Sequence, residues 1–232
     1  MRWHSPLVPG RFIARDNRFR ASACLEDGRT VSVHVANSGR LSELFRPDTP
    51  VWIRPASAAH QRKTWGDLTL VEYENTLVAV DARLPNHLVA EALRAGKLRG
   101  FSVPTAIQSE VTAGRSRLDF LLTFDENKAC WMETKSVTLV QQGTALFPDA
   151  PTERGVRHLR KLLSLHRQGN RTAVVFVVQR EDAQTFSCHP TAHPTFTSTL
   201  REVASQGVGV YACRCKVTLR GSEISGSLPV VL

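Results

Sequence analysis

The chain has 232 residues, 42% hydrophobic and 22% charged, a balance found in ordinary globular proteins and outside the disordered, collagenous and fibrous classes. Lys+Arg number 30 against 21 Asp+Glu, a net charge of +9, and 24 of the 30 cations are Arg. Arginine's planar fork suits phosphate oxygens, so an anionic partner is expected, DNA above all. The five cysteines (Cys24, Cys130, Cys188, Cys213 and Cys215) are odd in number and irregularly spaced, which favours free thiols in a reducing cytoplasm. The longest apolar run, at 173–178, has six residues. A bilayer needs roughly 20, so no membrane partner is expected.

In chain order, the first 80 or so residues read as short strands at 19–25, 30–35, 51–54, 68–73 and 76–80. Asp27-Gly28 lies between the first two, a hairpin pair that tolerates positive φ at both turn positions. Such strands without a helical period predict an OB-like β-barrel over residues 1–82. At Pro85 the pattern changes. Proline at an early helical position, apolar residues at 88, 89, 92 and 93, and Gly96 at the end predict a helix over 85–96 and a domain boundary before it.

Residues 83–232 then alternate. Strands are expected near 105–111, 117–124 and 129–137, followed by a helix over 152–168 with Val156, Leu159 and Leu163 on one stripe. The all-apolar stretch at 172–178 reads as a strand buried on both faces, as parallel strands are. A helix near 195–206 and a strand at 208–213 complete an α-β-β-β-α-β-α-β order, an α/β sandwich.

Two of these strands carry charge. The strand at 117–124 is otherwise apolar yet holds Asp119, and the strand at 129–137 holds Glu133 and Lys135 on one face. A three-residue connection at 125–127 sets Asp119 opposite Glu133 and Arg117 opposite Lys135; a two-residue connection sends the two acids to opposite faces. Facing carboxylates about 5 Å apart at Cβ repel unless a cation or proton lies between them. Asp119…Glu133-x-Lys135 is the pattern of metal-dependent nucleases, in which the acids hold Mg²⁺ or Mn²⁺ against a phosphate and the lysine orients water or stabilises developing charge. The surrounding element order is that of the restriction-endonuclease-like, or PD-(D/E)xK, core. The competing reading is a plain strand salt bridge from Glu133 to Lys135 or Arg117.

The stretches at 116–122 (Ser-Arg-Leu-Asp-Phe-Leu-Leu), 133–139 (Glu-Thr-Lys-Ser-Val-Thr-Leu) and 147–155 (Phe-Pro-Asp-Ala-Pro-Thr-Glu-Arg-Gly), with Asn37-Ser38-Gly39-Arg40-Leu41 and Leu84-Pro85-Asn86-His87-Leu88, resemble the sugar fermentation stimulation protein A family. The likeness spans nearly the whole chain. It implies an N-terminal OB-like barrel, a C-terminal nuclease-like α/β domain, sequence-nonspecific DNA binding and a regulatory role in maltose metabolism. Thr134 stands where the family usually has Val, and Ala36 where Pro is common before Asn37. The expected function is a sequence-nonspecific DNA-binding protein with a nuclease-like divalent-metal site at Asp119, Glu133 and Lys135. The rivals are an active Mg²⁺-dependent nuclease and a regulator whose carboxylate pair is vestigial.

Other residues extend the DNA reading. Arg154 and His158 lie four apart at the start of a helix whose free N–H groups attract anions. Arg157 and Lys161 continue that helix, and Arg115 and Arg117 sit close to it in the expected fold, forming a phosphate track. Arg40 follows Gly39 in a turn and reaches outward. Cys188, His189 and His193 offer only three zinc ligands. Phe12, Phe19, Trp52 and Trp65 divide between base-stacking surface and barrel core.

Overall fold

Six strands organise the first eighty residues in the computed structural model, which describes residues 1–57, 62–125 and 129–232. They are β1 (Val8–Asn17), β2 (Arg20–Leu25), β3 (Thr30–His34), β4 (Pro50–Pro55), β5 (Gly66–Tyr73) and β6 (Thr76–Ala79). Alternation buries Ala21, Ala23 and Leu25 on β2 and Val31 and Val33 on β3, turning one face of each strand inward. Neighbours run β3-β2-β1-β4-β5, and a parallel β3–β5 pairing closes the five-stranded OB-like barrel, with β6 attached to β5 outside the ring. Gly66 sits at that closure, where a Cβ would lie 2.9 Å from Ile53 Cγ2. The strand β1 has no counterpart in the sequence reading, because only Gly10 and Phe12 of its ten residues are buried. Phe12 stacks on Phe45 in the core, whereas Phe19 is exposed.

The second half begins with α1 (Leu84–Arg94), then β7 (Ala106–Ala113), β8 (Ser116–Thr123), β9 (Ala129–Val137), β10 (Val140–Gln141), β11 (Thr144–Phe147) and α2 (Glu153–Arg167). It continues with β12 (Arg171–Val178), β13 (Thr185–Cys188), α3 (Pro194–Ser205), β14 (Gly209–Thr218), β15 (Gly221–Leu228) and β16 (Val230–Val231). The main sheet has the order β15-β14-β12-β9-β8-β7, and β12 is parallel to both β9 and β14. Leu88, Val89 and Leu93 of α1 pack on one face with Phe120, Met132 and Val175. Val156, Leu159 and Leu163 of α2 and Phe196 and Leu200 of α3 pack on the other with Val174 and Phe176. The apolar strand β12 therefore feeds both layers, as its composition requires. Four short strands form a second sheet, β10-β11-β13-β16; runs of two to four residues are too short to carry a period.

Barrel and α/β domain share apolar packing. Leu70 and Ala79 belong to the same core as Leu93 and Val177, and the Ala79 N–H donates to Gln179 O at 3.0 Å. Near the chain start, the Trp3 indole N–H donates to Thr218 O at 3.0 Å. Among the described residues no helix is long and apolar enough to cross a membrane. All five cysteines are free thiols.

Candidate active site

The β8–β9 ladder runs from Thr123↔Ala129 to Phe120↔Met132, the register that sets Asp119 opposite Glu133. Residues 126 and 127 of the connection lie outside the described residues. One step further the ladder stops. β8 continues only with β7, through Thr112↔Arg117, and β9 only with β12, through Val174↔Glu133 and Phe176↔Lys135. The two strands part where the acids stand, so Arg117 does not face Lys135; it is exposed and lies 3.5 Å from Glu110. Leu118, Phe120 and Leu122 divide between two buried layers. Phe120 and Leu122 enter the core under α1, while Leu118 enters the core under α2.

Asp119 explains the parting. Its Oδ2 accepts the Thr134 N–H at 2.8 Å and faces the Thr134 hydroxyl at 2.9 Å, and its Oδ1 accepts from Asn86 Nδ2 at 2.9 Å. A side-chain acceptor thus takes a strand N–H that a neighbouring carbonyl would otherwise satisfy. Asn86 comes from the first turn of α1, so that helix fixes the carboxylate from the far layer.

Glu133 is only 3% exposed. Its Oε1 accepts from Lys135 Nζ and from His158 Nδ1. His158 in turn accepts at Nε2 from Arg154 Nε, 3.3 Å away; since arginine only donates, this bond leaves the imidazole hydrogen on Nδ1, facing Glu133. Burial by itself would push the Glu133 carboxyl up, but the Lys135 ammonium and the His158 hydrogen bond outweigh it and hold the group below the ordinary carboxylate range. Glu133 Oε2 is fully buried with no hydrogen-bond partner among the described residues. A buried, charged acceptor left bare is costly, so a site normally supplies something for it.

A hard divalent cation asks for oxygen donors. The bare Glu133 oxygen is a donor of the kind such an ion would take, and Asp119 on the neighbouring strand offers a second carboxylate, so the donor chemistry fits. Among the described residues no group of three or more His, Cys, Asp or Glu stands together as a metal cage. The zinc alternative does not fit. Cys188 is buried in the core, His189 Nδ1 lies 3.1 Å from Pro148 O, and His193 accepts the Thr152 N–H and sits 3.1 Å from Glu153.

The basic residues divide between two rims. Arg115 and Arg117 sit at the β7–β8 turn, and Lys161 of α2 approaches that turn at Gly114, so hairpin and helix present one charged surface. Arg154 and Arg157 are exposed on α2, while His158 points inward to Glu133 rather than to solvent. Arg40 is exposed on the barrel loop, and that loop meets Asp149, just ahead of α2, through the Leu41 N–H at 3.4 Å. Sequence reasoning missed Asn86, Thr134 and Asp149 as site-builders, together with Gln179, whose Nε2 donates to Ser136 Oγ at 2.9 Å. The available signals were a polar residue in the first turn of an amphipathic helix and polar residues directly after an all-apolar strand.

An OB-like barrel joined to a restriction-endonuclease-type α/β domain, with an acid–acid–lysine set at the split of its central strands, defines the class. The chain belongs to the sugar fermentation stimulation protein family. The model described as "Sugar fermentation stimulation protein RE domain" matches residues 83–221, and "SfsA N-terminal OB domain" matches residues 13–80. A sugar fermentation stimulation protein homolog from Moorella thermoacetica is 47% identical over 211 residues, covering 91% of this chain and 90% of that protein. One from Symbiobacterium thermophilum is 44% identical, covering 95% and 93%. The solved structure of Pyrococcus furiosus SfsA in complex with Ca²⁺ superposes with a TM-score of 0.91 at 27% identity, covering 100% of this chain and 98% of that one.

Proposed function

We propose that the protein binds DNA without sequence preference and carries a divalent-cation site of the phosphodiester-hydrolysing kind. The observation that carries this reading is the buried, unpartnered Oε2 of Glu133 beside Lys135. In it, Asp119 and Glu133 hold Mg²⁺ or Mn²⁺, and Asn86 and Thr134 keep Asp119 in place. The ion, when bound, supplies charge neutralisation at the attacked phosphate and an acidified water. Lys135 steadies that water or the negative charge that develops. His158, oriented by Arg154, fixes the rotamer of Glu133. Arg40, Arg115, Arg117, Arg157 and Lys161 hold backbone phosphates on either side. The Ca²⁺ complex of the Pyrococcus furiosus relative supports a divalent site, and the +9 charge supports a nucleic-acid partner.

Within the same reading the barrel is assigned to 1–82 and the nuclease-like domain to 83–232. The free thiols support a reducing, cytoplasmic setting. A role in regulating sugar use, maltose included, would act through the DNA-bound state.

One observation favours a plainer reading, an ion pair that only stabilises the sheet: Lys135 and His158 both already engage Glu133. Plasmid nicking and Mn²⁺ titration separate the two. The wild-type chain should nick supercoiled plasmid in Mg²⁺ or Mn²⁺, and Glu133→Gln and Asp119→Asn should lose both nicking and Mn²⁺ binding while keeping DNA affinity. The logarithm of that affinity should fall with log salt by about 0.9 per phosphate contacted. Salt-sensitive DNA binding with no Mn²⁺ binding by the wild-type chain would leave the ion pair as the whole role of the site.

A further inference from the structure

A second cleft lies at the opposite end of α1 from Asn86. It has a volume of about 620 Å³ and is bounded by Lys97–Gly100, which follow α1, and by β14, β15 and the chain leading into β16. Its origin is topological. β15 pairs with β14 only from Ala212↔Leu228 onward, and after Pro229 the chain crosses to β13, where Val230 pairs with Phe186. Among the described residues the outer edge of Gly209–Tyr211 is therefore left without a strand partner, although β12 pairs with its inner edge. Departure of one strand from a sheet opens a gap that a side-chain core would otherwise fill.

The gap has the composition of a small-molecule site. Its volume falls within the range of ligand pockets, roughly 300–1,000 Å³. The part-exposed Tyr211 and Ile224 supply an aromatic and an apolar wall, and the Tyr211 ring is held by Phe101 at 5.0 Å between centroids. Among the described residues, the charged side chains that line it are Lys97 and Arg99, and no carboxylate lines it. Among the described residues Arg99 reaches across to Ser227 Oγ through Nη1 alone, at 3.4 Å, and a guanidinium has five N–H donors. The free edge of Gly209–Tyr211 adds backbone hydrogen-bonding groups, the usual means of orienting a ligand in an apolar pocket.

We propose that this cleft binds a small organic anion with an apolar, ring-sized body, its acid group held by Arg99 and Lys97 and its rings against Tyr211 and Ile224. The site uses none of the residues assigned to cation or DNA binding, so it stands or falls separately from that reading.

The probe for the test is 1-anilinonaphthalene-8-sulfonate, an anion on an aromatic body, with uncharged N-phenyl-1-naphthylamine as its partner. The wild-type chain should bind the sulfonate saturably at one site per chain, and duplex DNA should not displace it. Lys97→Glu/Arg99→Glu should weaken the sulfonate at least tenfold and leave the uncharged probe within twofold. Both positions are exposed, so the fold should survive, and an unchanged melting temperature confirms it. Non-saturable binding, displacement by DNA, or equal affinity in wild type and the double variant would overturn the proposal.

Discussion

Asp67 does in the barrel what Glu133 does in the sheet: it keeps a charge in a place where burial opposes one. It is 5% exposed, and it holds Arg54 at 2.7 Å, Arg62 at 3.2 Å and His34 at 3.1 Å. Burial would raise its carboxyl, but the Arg54 and His34 hydrogen bonds and the two guanidinium charges outweigh that and hold it below the ordinary value. A depressed folded-state pKa adds stability that is fully present above the unfolded value, about 3.9, and is lost as pH falls through the folded value. Because the three partners are partly exposed and can rehydrate, we expect Asp67→Asn to cost about 1–3 kcal/mol at neutral pH. Melting curves of both proteins between neutral and strongly acidic pH should converge at the acid end. A gap that stayed constant with pH would assign the effect to packing.

At the scale of elements, α2 sets the chemistry of Glu133 through its first turns. Thr152 caps the helix, its Oγ1 accepting the Gly155 N–H at 3.1 Å, and its own N–H donates to His193 at the head of α3. The cap fixes where α2 begins, and so where Arg154 and His158 fall. Thr152→Ala should cost about 1 kcal/mol, a fall in melting temperature of about 2–4 °C for a chain of this size. The first turn should also show faster amide exchange. Exchange unchanged at residues 153–156 would show that packing on α3 alone holds the helix end. The helix itself is legible in the sequence, because Val156, Leu159 and Leu163 repeat with its period. The inward aim of His158 is not, since that depends on a carboxylate 25 residues away.

Across the whole molecule, barrel and α/β domain meet at the loop 37–40. Arg15 gathers this loop by donating to Gly39 O and Arg40 O at 2.7 Å each, and to Asn37 O at 3.0 Å. The loop lies against Asp149, and a Cβ on Gly39 would overlap that carboxylate, coming within 2.9 Å of Oδ1. Gly39→Ala should therefore push loop and Asp149 apart, at about 1–3 kcal/mol, the usual cost of overpacking. It should also weaken DNA binding by moving Arg40, while leaving the isolated Mn²⁺ affinity of Asp119 and Glu133 unchanged. Calorimetry and DNA titration on the one variant check both halves of this expectation.

Legible from the residues alone were the parts that depend on neighbours within a window of a dozen positions. The alternation at 19–25 and 30–35, the helical stripe at 156–163 and the unbroken apolar run at 173–178 each follow from one element burying one face, or both. The sequence also singled out Asp119, Glu133 and Lys135, because charges stand out in otherwise apolar strands, but it left the register between the two acids to the length of the 125–127 connection. It took the folded chain to show that the strands part there, that Asn86 and Thr134 claim Asp119, that His158 turns onto Glu133, and that β15 leaves β14 to open a second cleft. The reason is physical. Periodicity is a local consequence of backbone geometry, whereas the partner that satisfies a buried carboxylate oxygen or a strand edge is whichever group the packing of distant elements brings within 3 Å or so.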